Sequence, residues 1–181
     1  RLDIRDRTAV MAAMADHRPT DILHLAAISA PAEAGRDPAA AWRANVGGAL
    51  NMAEAAVSCG ARQMVFVSTA EVYGRAFLAS DCVTEDATPQ PMGVYSRSKL
   101  AAEQAVTDVL LASDCRGTII RTANHSGPGQ DQRFVAPAFA AQVALIEAGR
   151  AEPVVKTGNL DPERDFLDVR DVARGYLAVL M

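Results

Sequence analysis

Gln63-Met64-Val65-Phe66-Val67-Ser68-Thr69 is an apolar run closed by two hydroxyl side chains. From Met64 to Val67 neither alternate set of side chains is polar, which is the pattern of a strand buried on both faces of a sheet. Upstream, Trp42 to Cys59 carries apolar residues at helical spacing, with Val46, Leu50, Ala53 and Val57 predicted to point inward and Gly60 to cap the end. Downstream, a polar loop with Pro89 and Pro91 leads into a helix from about Tyr95 to Leu111. Gly117 to Arg121 then reads as a third buried strand. Before all of this lie a helix over Arg7–His17, with Val10, Met11 and Met14 on one face, and a short strand over Asp21–Ala27. After it come a helix over Phe134–Ala148 stopped by Gly149, a short strand at Val154–Lys156, and a last helix over Val172–Leu180.

Buried strands alternating with helices predict an α/β fold, a doubly wound parallel sheet with helices on both faces. In such sheets ligands sit beyond the carboxyl ends of the strands. That rule selects Ala26-Ala27, Ser68-Thr69 and the stretch after Arg121.

Composition narrows the function classes. A chain of 181 residues, 50% hydrophobic and 22% charged, is long enough for one domain with a core. A net charge of −4 gives no polyanion-binding surface, so a nucleic-acid partner is not expected. Cys59, Cys82 and Cys115 are widely spaced and form no CxxC or Cys/His cluster. Neither a metal site nor a disulfide framework is expected, and free thiols suit a reducing cytoplasm. No apolar run approaches the ~18 residues of a membrane span, and no signal peptide opens the chain. The start at Arg1, without methionine, is that of a fragment or a trimmed product.

The chemistry centres on Tyr95 and Lys99, four apart and therefore on one helix face. A phenol has a pKa near ~10 and is a poor acid or base at neutrality. An ammonium one turn away is expected to favour the phenolate, so that the pair can exchange a proton with an alcohol or ketone. Thr69, at the end of the preceding buried strand, can hydrogen-bond the same substrate oxygen. By position alone His24, on a buried strand, is expected to be a satisfied core histidine. Arg164 has Asp161 and Asp168 within reach as surface partners.

Val67-Ser68-Thr69-Ala70-Glu71-Val72-Tyr73-Gly74 followed by Tyr95-Ser96-Arg97-Ser98-Lys99 resembles the active-site strand and helix of extended short-chain dehydrogenases/reductases, the NAD-dependent epimerase/dehydratase family. Other stretches resemble landmarks of that family in order: Asp3-Ile4, His24-Leu25-Ala26-Ala27, Asn45 within Arg43–Gly48, Arg121 with Asn124, and Arg164 to Asp171. The resemblance implies a Rossmann-like fold without its glycine-rich first βαβ unit, that is, truncated at the N-terminal strands, with the beginning of a small substrate lobe. Residues 1–121 would form a partial NAD(P)-binding domain and residues 122–181 the sugar-nucleotide segments.

The same resemblance implies site roles. Tyr95, Lys99, Thr69 and Glu71 would be catalytic. Asp3, Ile4, Leu25, Ala26, Ala27, Asn45, Ser68, Tyr95 and Lys99 would contact NAD or NADP, with Asp3 near the adenine and Asn45 steadying the active-site strand. Asn124 and Arg164 would contact the nucleotide sugar. A homodimer is implied for the full-length parent. Asn124–Gln130 and Gly158-Asn159-Leu160 resemble the branch handling GDP-mannose derivatives. Gly127-Pro128-Gly129-Gln130 points to a GDP-4-keto-6-deoxymannose reductase and Thr69-Ala70-Glu71 to a GDP-mannose 4,6-dehydratase, with Glu71 as base. The reductase is the first reading, and another nucleotide-sugar epimerase or dehydratase stays open. So do a non-catalytic nucleotide-binding protein and an inactive fragment. Three departures from the pattern stand out: no glycine-rich turn, Gly93-Val94 where the family often has Ser-Pro, and Thr122-Ala123 after Arg121.

Overall fold

The structure, a computed structural model, describes residues 2–80 and 82–181. The run quoted above folds as β2 (Gln63–Val67), central in a parallel sheet between β1 (Asp21–His24) and β3 (Arg116–Ile120). The register sets His24 beside Phe66 and Phe66 beside Ile119, so these side chains share one face. Helices α1 (Arg7–His17), α4 (Ala49–Ser58) and α5 (Val94–Leu111) cover that face. The core there is built from Val10, Met14, Ile22, Met64, Phe66, Ala53, Ala56, Ala102, Val106 and Leu110. On the opposite side the last turn of α7 (Val169–Leu180) is held through the Gln63 amide, which donates to the Val179 carbonyl at 2.9 Å. The parallel, doubly wound arrangement therefore follows from the alternation of apolar strands and amphipathic helices.

Local chemistry explains the helix ends. Asp6 caps α1 by accepting from the Ala9 N–H at 3.0 Å, and Arg18 closes it in the left-handed region at φ 43°. Gly60, at φ +73°, follows the end of α4 as the spacing predicts. Ser96 serves the start of α5, its hydroxyl accepting from the Gly93 N–H and donating to the Gly93 carbonyl, both at 3.2 Å.

Three expectations are corrected. The helix predicted over Trp42–Cys59 is a composite of α3 (Pro38–Trp42), a π-helical turn (Arg43–Gly48) and α4. The wider turn rotates the helix face, so Ala49, Ala53, Ala55 and Ala56 are buried while Val57 is exposed. The predicted third strand is present, but as a sheet edge whose residues are exposed or half-buried, not as a buried strand. Val154–Lys156 is not a strand. There the Gln142 side chain takes the role of a strand partner, accepting from the Lys156 N–H at 2.8 Å and donating to its carbonyl at 3.1 Å.

The chain forms two compact units, residues 1–122 with 176–181, and residues 123–175. The second contains a parallel pair, β4 (Asn124–Ser126) with β5 (Phe166–Asp168), and α6 (Val135–Glu147). Among the described residues no helix is long and apolar enough to cross a membrane.

Candidate functional site

Thr69 lies two residues past the end of β2, and its Oγ1 accepts from the Glu71 N–H at 3.2 Å, turning the chain into a 3₁₀ turn (Ala70–Val72). That turn sets Thr69 and Glu71 against the first turn of α5, where Tyr95 lies. Burial pushes the Tyr95 phenol up to about 12; the Glu71 carboxylate adds to the rise and a hydrogen bond with the Thr69 side chain opposes it. Tyr95, Thr69 and Glu71 therefore converge at the carboxyl end of β2. Tyr176 adds a second phenol to the surroundings of Tyr95 and shares a 2.9 Å hydrogen bond with Thr122.

Lys99 is buried one turn further along α5. Its Nζ donates to the Val67 carbonyl at 2.6 Å and stands 4.1 Å over the Phe66 ring. Burial lowers the Lys99 ammonium to about 8, with the Glu103 carboxylate opposing. The expectation that Lys99 favours a Tyr95 phenolate is therefore not met in this structure. The ammonium is satisfied by a strand carbonyl and an aromatic face, and Lys99 is not among the groups that move the Tyr95 phenol.

His24 stacks on Phe66 with ring centroids 5.7 Å apart, and burial followed by the Lys99 charge drops its pKa to about 4. It is a core histidine, but its Nε2 has no hydrogen-bond partner among the described residues, so it is not satisfied as expected. Ser68 Oγ is buried and equally without a partner among the described residues. Close by in the sheet, Leu25 and Ala26 follow the carboxyl end of β1 with their side chains exposed, Leu25 by 56%. An orphaned hydroxyl beside exposed apolar strand ends fits a planar group with polar substituents.

Other predicted positions fall as follows. Asp3 is exposed, with its carboxylate on the Arg5 guanidinium at 2.6 Å. Ile4 packs on Gly48, where a Cβ would lie 2.5 Å from its Cδ1, and its carbonyl accepts from the Asn51 amide at 2.8 Å. Asn45 is buried in the π-helical turn and engages Ile28 and Ser98, so it ties the segment after β1 to α5 and does not hold β2 as expected. In the second unit, Asn124 opens β4. Arg164 donates to the Glu163 carbonyl at 2.6 Å; the expected partner Asp168 instead binds Arg170, which holds that carboxylate well below its usual range.

Spacing did not reveal one cluster. Arg121 grips the buried Glu103 carboxylate at 2.8 Å and 3.2 Å, donates to the Tyr73 hydroxyl at 2.9 Å, and lies over the Tyr73 ring. The signal was present on the helix itself, since Tyr95, Lys99 and Glu103 repeat every four residues.

This fold and site define a Rossmann-like α/β protein with a tyrosine–lysine helix beside a hydroxyl-bearing strand end. The whole chain, residues 1–181, matches the NAD dependent epimerase/dehydratase family, and the chain belongs to it. It is 36% identical over 163 residues to GDP-6-deoxy-D-mannose reductase of Pseudomonas aeruginosa, covering 90% of this chain and 54% of that protein. It is 35% identical over 185 residues to UDP-glucose 4-epimerase of Rhizobium meliloti, covering 98% and 54%. The solved structure of RMD from Pseudomonas aeruginosa, complexed with NADPH, superposes with a TM-score of 0.93 at 33% identity, over 99% of this chain and 61% of that one. The chain thus spans about half the length of the curated relatives it matches.

Proposed function

We propose that this chain carries the catalytic residues of an NAD(P)-dependent nucleotide-sugar oxidoreductase, and that the whole protein reduces GDP-4-keto-6-deoxymannose. The observation that carries the reading is the placement of the Tyr95 phenol against the Thr69 hydroxyl at the carboxyl end of β2. The likeness to a GDP-6-deoxy-D-mannose reductase supports the choice of substrate. The residues that would hold NAD or NADP are Leu25, Ala26, Ala27, Ser68 and Lys99 on the nicotinamide side and Asp3 and Ile4 on the adenine side. Asn45 would act through Ile28 and Ser98. When bound, the cofactor supplies the hydride chemistry. Tyr95 gives its proton to the oxygen of the sugar's C4 as the ketone is reduced, and Thr69 hydrogen-bonds that oxygen. Lys99 would hold the cofactor ribose and would keep a positive charge near the developing negative one. Residues 1–121 would serve the cofactor, and residues 122–181, with Asn124 and Arg164, the GDP-linked sugar. Free cysteines are consistent with a cytoplasmic protein, and a homodimer is the assembly we assign to the whole protein.

The 4,6-dehydratase reading has its own support, because the Glu71 carboxylate lies close enough to act on Tyr95. In that reaction Tyr95 would take a proton as C4 is oxidised, Glu71 would abstract at C5 as water leaves C6, and the hydride removed from C4 would return at C6 with a proton at C5, giving the 6-deoxy ketone. Glu71→Gln in the whole protein separates the two. A reductase keeps most of its ketone reduction, and a dehydratase loses formation of 6-deoxy product. A non-catalytic nucleotide-binding protein turns over neither substrate, in wild type or variant.

A further inference from the structure

Lys99 and Glu103 lie one turn apart on α5, and both side chains are buried. A buried carboxylate requires a partner, and Glu103 has one in Arg121, which reaches it from the end of β3 with Nε at 3.2 Å from both oxygens and Nη2 at 2.8 Å from Oε2. Tyr73, from the turn that follows Thr69 and Glu71, completes the cluster by accepting from Arg121 Nη1 at 2.9 Å. The nearest carboxylate to Lys99 along its own helix is therefore tied to the segments that carry Thr69 and Glu71.

We propose that Glu103 is a positioning residue for Lys99, and that the Arg121–Glu103 pair sets how firmly the Lys99 amine holds its proton. The inference rests on the reading of Lys99 as part of the working site. Glu103 favours the Lys99 ammonium, while Arg121 draws off part of the Glu103 charge and adds a cation of its own. Lys99 thereby keeps a proton at neutral pH despite its burial, without being fixed in one protonation state. The other buried titratable group facing Lys99 is His24 from β1, neutral through this range. Elements packed on α5 also carry Glu33, Arg36, Arg43, Glu71 and Arg116, which are solvent-exposed, and Glu54, which pairs with Arg7. Water and salt screen such groups far more than a buried pair.

The test is made on the whole protein. Lysine labelled with 15N at the side chain reports the titration of Lys99 by NMR, its signal assigned by its loss in Lys99→Arg. Glu103→Gln, nearly isosteric, should move the Lys99 midpoint down by about one pH unit, and Arg121→Met should move it up by a similar amount. Arg121→Lys, which keeps a cation, should leave it close to wild type. A structural role alone would move both midpoints upward together as the site loosens and Lys99 meets water. A common direction, or no movement in Glu103→Gln, overturns the proposal. If Arg121→Met does not fold, Glu103→Gln and Arg121→Lys decide it. The readout is the amine itself, so it stays separate from the catalytic reading, which fails if Tyr95→Phe keeps full turnover in the whole protein.

Discussion

Asn45 Nδ2 donates to Ser98 Oγ at 2.9 Å, joining the π-helical turn to α5 across 53 residues of sequence. Ser98 in turn donates to the Tyr95 carbonyl at 2.8 Å, while Asn45 Oδ1 accepts from the Ile28 N–H at 2.8 Å. One buried amide thus fixes both the segment after β1 and the first turn of α5. Removing it takes from the part-buried Ile28 N–H and carbonyl their side-chain partner and leaves the Ser98 hydroxyl with the Tyr95 carbonyl alone. Asn45→Ala should cost about 2–3 kcal/mol and Ser98→Ala about 1 kcal/mol. Urea unfolding followed by circular dichroism gives both numbers, and an Asn45→Ala protein as stable as wild type would deny the amide this role.

His24 makes stability depend on acid pH. Its pKa falls from 6.5 to about 4 on folding, so the unfolded chain binds the proton more tightly. Its contribution is fully present above pH 6.5 and is lost progressively as the pH falls toward 4, by about 3 kcal/mol in all. His24→Phe, which keeps a ring against Phe66, should flatten the pH dependence in that window. Unfolding midpoints measured across the window for both proteins would show it; parallel curves would place the acid sensitivity elsewhere.

Gly74 stands at φ +48°, and a Cβ there would meet the Gln90 carbonyl oxygen, which is backbone and cannot swing away. Gly74→Ala should lose about 1–2 kcal/mol for the left-handed backbone alone, and more for the overlap. It should also loosen the contact between this turn and the Gln90–Pro91 segment. Hydrogen exchange at the Arg75 N–H, which donates to Gln90 at 3.1 Å, reports that loosening directly. Unchanged protection there would mean that the turn absorbs the methyl.

These residues contain no glycine-rich turn to bind a pyrophosphate, so this chain by itself should bind NAD and NADP weakly. Each missing charge-assisted hydrogen bond is worth about 1.5–3 kcal/mol, so two or three of them cost several decades of affinity. β1 lies at the edge of its sheet, with Leu25 exposed just beyond, and such an edge invites self-association. Calorimetry with each dinucleotide, together with light scattering, examines both points. Micromolar binding by a well-behaved monomer would contradict them.

The fold was legible where one signal dominated. The Met64–Val67 run, the four-residue spacing of Tyr95 and Lys99, and Gly60 after α4 each needed only a few neighbouring residues to be read. The π-helical turn was not legible, because Arg43–Gly48 looks like ordinary helix until its wider turn shifts the phase and leaves Val57 outside. Val154–Lys156 has strand-like residues, but the Gln142 side chain takes its backbone groups. The Lys99 contacts were missed for a similar reason. Spacing brings Lys99 near Tyr95, yet the Val67 carbonyl and the Phe66 ring, both distant in sequence, decide where the amine rests. The partners of Asn45 and Glu103 are likewise long-range pairings that composition and period do not encode.

The central claim is that Tyr95 transfers the proton in a nicotinamide-dependent reaction on a nucleotide sugar. The most direct measurement is steady-state turnover of GDP-4-keto-6-deoxymannose with NADPH by the whole protein, wild type against Tyr95→Phe, with nicotinamide absorbance as the signal. The account predicts a kcat lower by ~10²–10⁴-fold, the usual worth of a positioned general acid, with KM little changed. A Tyr95→Phe protein that turns over at the wild-type rate would contradict it.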